Sequence, residues 1–302
     1  MNQLDLFPGL EIWEDERLYI VGNGFDIHHG IASKYWDFKE WVQKNRRDSS
    51  LVGMMDAFFS NDREFWGDIE KALCEYDEES ITDFCEPENP EDFKYDHPGQ
   101  WQDGIEDSIP WILGQTMDEF RGAFDEWVRS INISGTETDL YIPRSSKYLT
   151  FNYTETLEHV YGVPPQNVLH IHGCRINKGD EFVIGHDESR DEDEPFLNEE
   201  ILLPYQNAYS EVIRTMNEWR KDPENTIKKH EAFFKSLASC KGVCVMGLSY
   251  SEIDMPYLQA VANSVAPVCK WILKHFSVND QKKAEIAADV LGLKDYSITR
   301  FE

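Results

Sequence analysis

Residues 18–30 read "LYIVGNGFDIHHG". Leu18 to Val21 make a short apolar run ended by Gly22, which reads as a buried strand. Glycines at 22 and 24 allow a tight turn with close backbone approach, and a helix after them would aim N–H groups at an anion. From Phe25 onward, Ile27, Ile31, Tyr35, Phe38, Trp41 and Val42 recur at roughly helical spacing, with Gly30 as an interruption. A strand–turn–helix unit is expected. The turn is not G-x-G-x-x-G, because position 27 is Ile, and no Gly-Lys-Ser/Thr follows to make a Walker loop. A plain turn and a nucleotide site both stay open. Asp26 reads as a helix-capping residue or as a ribose or water contact.

The rest of the chain repeats this texture. Residues 51–76 and about 111–132 read as helices, separated by the acidic, proline-punctuated stretch "EYDEESITDFCEPENPEDFKYDHPG". After Pro143, "KYLTFNY", "NVLHIHG", "EFVIGH", "GVCVMGLS", "PVCKWILKHF" and "YSITRF" read as strands. "TETLEHVYG", a long polar region to about residue 238, "EIDMPYLQAVANS" and "NDQKKAEIAADVLG" read as helices. Strands alternating with helices imply an α/β fold, a mostly parallel sheet with helices on both faces. In such a sheet ligands bind at the carboxyl ends of the strands, near a topological switch point.

Composition narrows the function classes. The chain has 302 residues, 41% of them hydrophobic, enough for one large domain or a core with a big insertion. Against 29 basic residues stand 57 acidic ones, a net charge of −28. That surface repels phosphate backbones and anionic membranes, so neither non-specific nucleic-acid binding nor membrane docking is expected. The six cysteines form no CxxC pair, so no structural metal is expected and reduced buried thiols are. The first residues show no basic region followed by an apolar run, and no apolar stretch approaches the roughly 20 residues that span a bilayer. A cytoplasmic protein is expected.

Four polar strand ends supply the candidate site. "VGNGFD" offers Gly22, Asn23, Gly24, Phe25 and Asp26. "LTFNYT" offers Thr150 and Asn152; an amide there can hold a ribose hydroxyl or a water, or simply bond local backbone. "HIHG" places His170 and His172 two apart, on the same side of a strand. His172, beside Gly173 at the strand end, stands where a catalytic base is expected, and His170 reads as a packed, hydrogen-bonded core residue. "GLSYSEID" offers Gly247, Ser249 and Asp254, with Ser251 and Asp254 also fitting a capping box. No G-x-S-x-G elbow supports a serine hydrolase.

Together, "YIVGNGFDIHHGI", "SKYWDFKEWV", "FWGDIEKAL", "LTFNYTETLEHVYG", "VLHIHG", "VIGH" and "GLSYSEIDMPYLQAV" resemble the AbiH family, bacterial proteins of phage abortive infection. More distantly, Gly-Asn-Gly with Gly30-Ile31, Asn152 and His172-Gly173 resemble sirtuin-like NAD-binding domains, while Thr154 stands where those have aspartate and their CxxC zinc module is absent. The resemblance implies a Rossmann-like (sirtuin-like) core at about 16–45 and 143–302, with a helical acidic insertion at about 46–142. It implies anti-phage defence by binding, and hydrolysing, NAD or a related nucleotide. Asn152 and His172 would be catalytic. Gly22, Asn23, Gly24, Phe25, Asp26, Thr150, Gly173, Gly247, Ser249 and Asp254 would contact the ligand. A homo-oligomer and a phage-protein trigger are the partners considered. The alternatives are a non-catalytic nucleotide-sensing module, and a metal-dependent nuclease using Asp68, Glu70 or Asp254.

Overall fold

The structure is a computed structural model that describes residues 14–59, 66–86, 97–138, 140–198, 201 and 203–301. The opening segment and part of the acidic stretch, on which two sequence expectations rested, lie outside these residues. The described chain divides into two compact units. One gathers residues 1–34, 128–183 and 222–302, and the other 35–127 and 184–221. The expected insertion at about 46–142 overlaps the second unit, which also takes up 184–221.

The first unit holds a sheet of six parallel strands in the order β3-β2-β1-β4-β5-β6. They are β1 (Arg17–Val21), β2 (Lys147–Thr150), β3 (Val168–His170), β4 (Gly242–Met246), β5 (Lys270–His275) and β6 (Tyr296–Arg300). The central strand β1 pairs with β2, Val21 opposite Thr150, and with β4, Val21 opposite Met246. Both β1 and β4 are buried along their whole length, as expected of strands covered on both faces.

Side-chain alternation builds the two covering layers. Leu18, Ile20, Leu149, Val243, Val245 and Leu273 join one core cluster, against Leu258 and Val261 of a helix at Met255–Ser264 and Ala284 and Ala287 of another at Val278–Val290. Tyr19, Val21, Tyr148, Cys244, Met246 and Ile272 join the opposite cluster with Phe25, Leu157 and Tyr161. Tyr19 and Tyr148 stack at 5.2 Å between centroids, a contact worth about 1 kcal/mol beyond the area it buries. The helix at Val278–Val290 starts on a capping box between Ser277 and Asp280 and ends near Gly292, at φ +63°.

The second unit is helical around an aromatic core. Phe38 meets Trp66, Phe120, Phe124 and Trp127 at centroid distances of 5.3–6.0 Å. Three sequence readings change here. The helix expected at about 111–132 runs from Pro98 to Ser130, because Trp101, Ile105 and Ile109 extend its buried stripe ahead of Pro110. The helix expected over 51–76 is not continuous: among the described residues Leu51–Phe58 ends at an extended Phe59, and Ile69–Ala72 is a separate short helix capped by Asp68. "EFVIGH" is no strand: His186 makes an isolated bridge with Arg220, and Gly185 lies so close to Trp219 that a Cβ would stand 2.1 Å from its carbonyl oxygen.

Candidate functional site

The strand order reverses between β1 and β4, the place where an open α/β sheet offers a ligand crevice. Here the loops after the two strands interlock instead. Gly22 N–H donates to Met246 O (2.9 Å), Gly24 N–H to Gly247 O (2.8 Å) and Phe25 N–H to Gly22 O (3.0 Å). A Cβ on Gly22 would meet Gly247 O at 2.6 Å, and one on Gly24 would meet Gly247 Cα at 2.8 Å. The glycines thus serve backbone-to-backbone packing, and of the Gly22–Phe25 N–H groups that could face an anion, those of Gly22, Gly24 and Phe25 have protein acceptors. Asn23 is occupied too: its amide donates to Ser33 O at 2.8 Å and its oxygen accepts the Ser33 hydroxyl at 2.6 Å.

Behind this turn lies a buried polar cluster. Asp26, in the short helix Asn23–His28, is 1% exposed and does not cap that helix. Its Oδ2 accepts the Thr154 hydroxyl, which in turn lies 2.9 Å from the Thr156 hydroxyl. Burial pushes the Asp26 carboxyl up to about 6, while Thr154, Thr156, Asn152 and the charge on His170 pull the other way. Oδ1 of Asp26 and Oδ1 of Asn152 are both buried with no donor in hydrogen-bonding geometry. A buried acceptor left so costs about 1–3 kcal/mol, and such sites tend to be the ones that function uses.

His170 closes the cluster. Its Nδ1 lies 2.9 Å from Asn152 O and its Nε2 2.9 Å from Glu158 Oε1. Both partners only accept, so both ring nitrogens donate and the ring is a cation. Burial works against that charge, but Cys174 and Glu158 outweigh it and raise the ring to about 10. The expectation of a packed, hydrogen-bonded His170 stands.

His172 departs from its expected geometry. β3 stops at His170, and residues 171–172 turn toward Gly173, at φ +94°. His172 therefore does not share a strand face with His170. Its ring lies edge-on to Phe151 (5.2 Å) and Tyr257 (5.4 Å), with Tyr153 at 6.5 Å, and the residue is 4% exposed. Phe151 and Tyr153 flank Asn152, so the two expected catalytic residues are neighbours in space through those rings. Thr150 is buried and its hydroxyl accepts Asn152 N–H at 3.1 Å.

After β4, Ser249 is exposed and Tyr250 takes φ +53°, a left-handed value that costs a non-glycine residue about 1 kcal/mol. The Tyr250 hydroxyl anchors the turn on Lys274 O at 2.8 Å. The capping box read at Ser251 does not form: residues 252–254 make a 3-10 turn, and the Ser251 hydroxyl bonds the Asp254 carboxylate at 3.2 Å. In the second unit Asp68 caps a helix and Glu70 pairs with the buried Lys221 at 2.5 Å. Among the described residues no three His, Cys, Asp or Glu side chains are grouped to hold a metal ion.

Sequence reading did not assign Thr156 or Glu158 to the site. The alternation Thr154, Thr156, Glu158 just after Asn152 is the signal available for them. Arg129 was also missed; it donates to the carbonyls of Arg175, Asn177 and Asp180 and holds the loop that follows Gly173. No helix among the described residues is long and apolar enough to cross a membrane.

Compared with known proteins, residues 18–275 match a family model described as Bacteriophage abortive infection AbiH. No curated protein and no solved structure matches the chain.

Proposed function

The chain belongs to the AbiH family, and we propose that it acts in phage abortive infection by binding, and hydrolysing, the nicotinamide–ribose bond of NAD or a related nucleotide in the cytoplasm. The observation that carries this reading is the pair of buried acceptors, Asp26 Oδ1 and Asn152 Oδ1, beside the carboxyl ends of β1 and β2. Unmatched acceptors suit a ligand rich in donors, and ribose hydroxyls with a water supply them. Cleavage builds positive oxocarbenium character on the ribose, which an acidic group close by stabilises. Nicotinamide leaves neutral, so no strong acid is needed. Asn152 orients water and a ribose hydroxyl, and His172 in its aromatic wall contacts the sugar. Because the Gly22, Gly24 and Phe25 N–H groups are committed, and the Gly173 N–H donates to His170 O, the nucleotide's phosphates rely on other donors, of which the exposed Ser249 hydroxyl is the candidate; Gly173 and Asp254 remain candidate contacts to the rest of the ligand.

A second reading, a nucleotide sensor without turnover, is favoured by the enclosure of His172 at 4% exposure. Incubating purified protein with NAD and following free nicotinamide, alone and with phage lysate proteins as trigger, separates the two. Release that falls with Asn152→Ala and His172→Ala supports hydrolysis. Calorimetric binding of NAD or ADP-ribose with no release supports the sensor.

A further inference from the structure

We propose that Asp26 is the general base of this site, with its Oδ1 and the Asn152 amide oxygen each accepting one hydrogen of the attacking water. The proposal rests on the hydrolysis reading above and gives the proton a destination. Four titratable groups stand in the cluster around Asn152: Asp26, Glu158, His170 and His172. His170 is committed, with one ring nitrogen on Asn152 O and the other on Glu158, each at 2.9 Å. A ring locked as a cation has no lone pair for a proton. His172 is walled by Phe151, Tyr153 and Tyr257 and is left to contact the sugar. Asp26 presents a buried carboxylate oxygen without a donor in hydrogen-bonding geometry, while its other oxygen is fixed by Thr154; Glu158, whose Oε2 is likewise unmatched, is committed through Oε1 to the His170 cation.

Two unmatched acceptors suit the chemistry of the nucleophile. A water that gives one hydrogen to Asp26 Oδ1 and the other to Asn152 Oδ1 keeps a lone pair for attack. Its oxygen forms the new bond to C1′ as the C1′–N bond breaks. The bonding pair leaves with the pyridine nitrogen as neutral nicotinamide. The water's proton passes to Asp26 and from there to solvent, leaving ADP-ribose. A base poised near the working pH does this best, and burial holds Asp26 at about 6.

The groups facing Asp26 also set its proton affinity. From the β2 side these are Thr154, Thr156 and Asn152, and from the end of β3 it is His170, whose charge draws the carboxyl down. His170 is in turn held charged by Glu158, from the short helix Thr156–His159, and by Cys174. Neutralising Glu158 removes that support, and Asp26 becomes easier to protonate.

The test is nicotinamide release from NAD between pH 4.5 and 9 by the full-length protein, its Asp26→Asn variant and its Glu158→Gln variant. Circular dichroism and thermal melts establish that each variant is folded. The wild type should lose rate below about pH 6. Asp26→Asn should lower the maximal rate by about 100-fold and abolish that acid limb. Glu158→Gln should move the limb upward by roughly half a pH unit. Folded Asp26→Asn protein working within about threefold of the wild type, or keeping the acid limb, overturns the assignment and leaves the hydrolysis reading standing. No release from the wild type under any condition overturns both.

Discussion

The amide nitrogen of Phe25 occupies the place where a side chain on Gly247 would begin: an ideal Cβ there would stand 2.3 Å from it. Gly247 also sits at φ +68°. Two penalties coincide, backbone strain and a clash with main chain that cannot rotate away. Gly247→Ala should therefore destabilise the first unit by about 2–4 kcal/mol. Urea unfolding followed by tryptophan fluorescence reads the loss. A change below about 0.5 kcal/mol would mean that the two loops do not interlock.

The stability of the protein should carry the signature of Asp26. Its native pKa is raised from 3.8 to about 6, so folding takes up a proton. The contribution is complete below about pH 4 and is lost as pH rises through about 6. Ionised and buried, the group costs about 3 kcal/mol above that range. Asp26→Asn, which preserves an acceptor for Thr154, should gain on the wild type as pH rises. Denaturant melts at pH 5 and pH 8, at constant ionic strength, should show the variant's relative advantage growing; equal differences at both pH values would sink the idea.

For the Glu158–His170 pair the window is alkaline. His170 is raised from 6.5 to about 10 in the folded protein. Its stabilisation is complete below pH 6.5 and disappears as pH passes about 10. Thermal melts should decline over that interval. In Glu158→Gln the decline should begin earlier and the Tm at pH 8 should be lower. Histidine Cε1 proton shifts in NMR give an independent midpoint.

Within the second unit, Lys221 has a side chain with no exposure at all and lies 2.5 Å from Glu70. Burial raises the Glu70 carboxyl, against the pull of the lysine. Removing one partner strands a buried charge. Lys221→Met should cost about 3–5 kcal/mol, and adding Glu70→Leu should recover at least about 1 kcal/mol of it. If the double variant is no more stable than the single one, the two charges are not coupled.

What the sequence disclosed was local. The run Leu18–Val21 and the apolar "GVCVM" announced themselves as buried strands, and the glycines at 22 and 24 announced a tight turn. What those glycines are for was not legible, because their partner, Gly247, lies more than two hundred positions away in the chain. A ligand and a neighbouring loop ask the same thing of a backbone. "HIHG" misled for a different reason: period-2 reasoning holds only while a strand continues, and β3 ends between its two histidines. Glu158 and Lys221 stayed anonymous among 57 acidic and 29 basic residues, since charge pairing over long separations leaves no pattern in the sequence.

The central strand has a history as well as a position. Arg17–Val21 leaves the ribosome well before one of its two partners, Gly242–Met246, more than two hundred residues further along the chain. Until then the nascent protein carries an apolar strand with an open edge, an invitation to pair with other chains. Folding of the sheet is thus gated by synthesis of Gly242–Met246, with contacts of high sequence separation and correspondingly slow closure. An abundant holdase, or slow translation before residue 242, should decide how much of this protein a cell obtains in usable form.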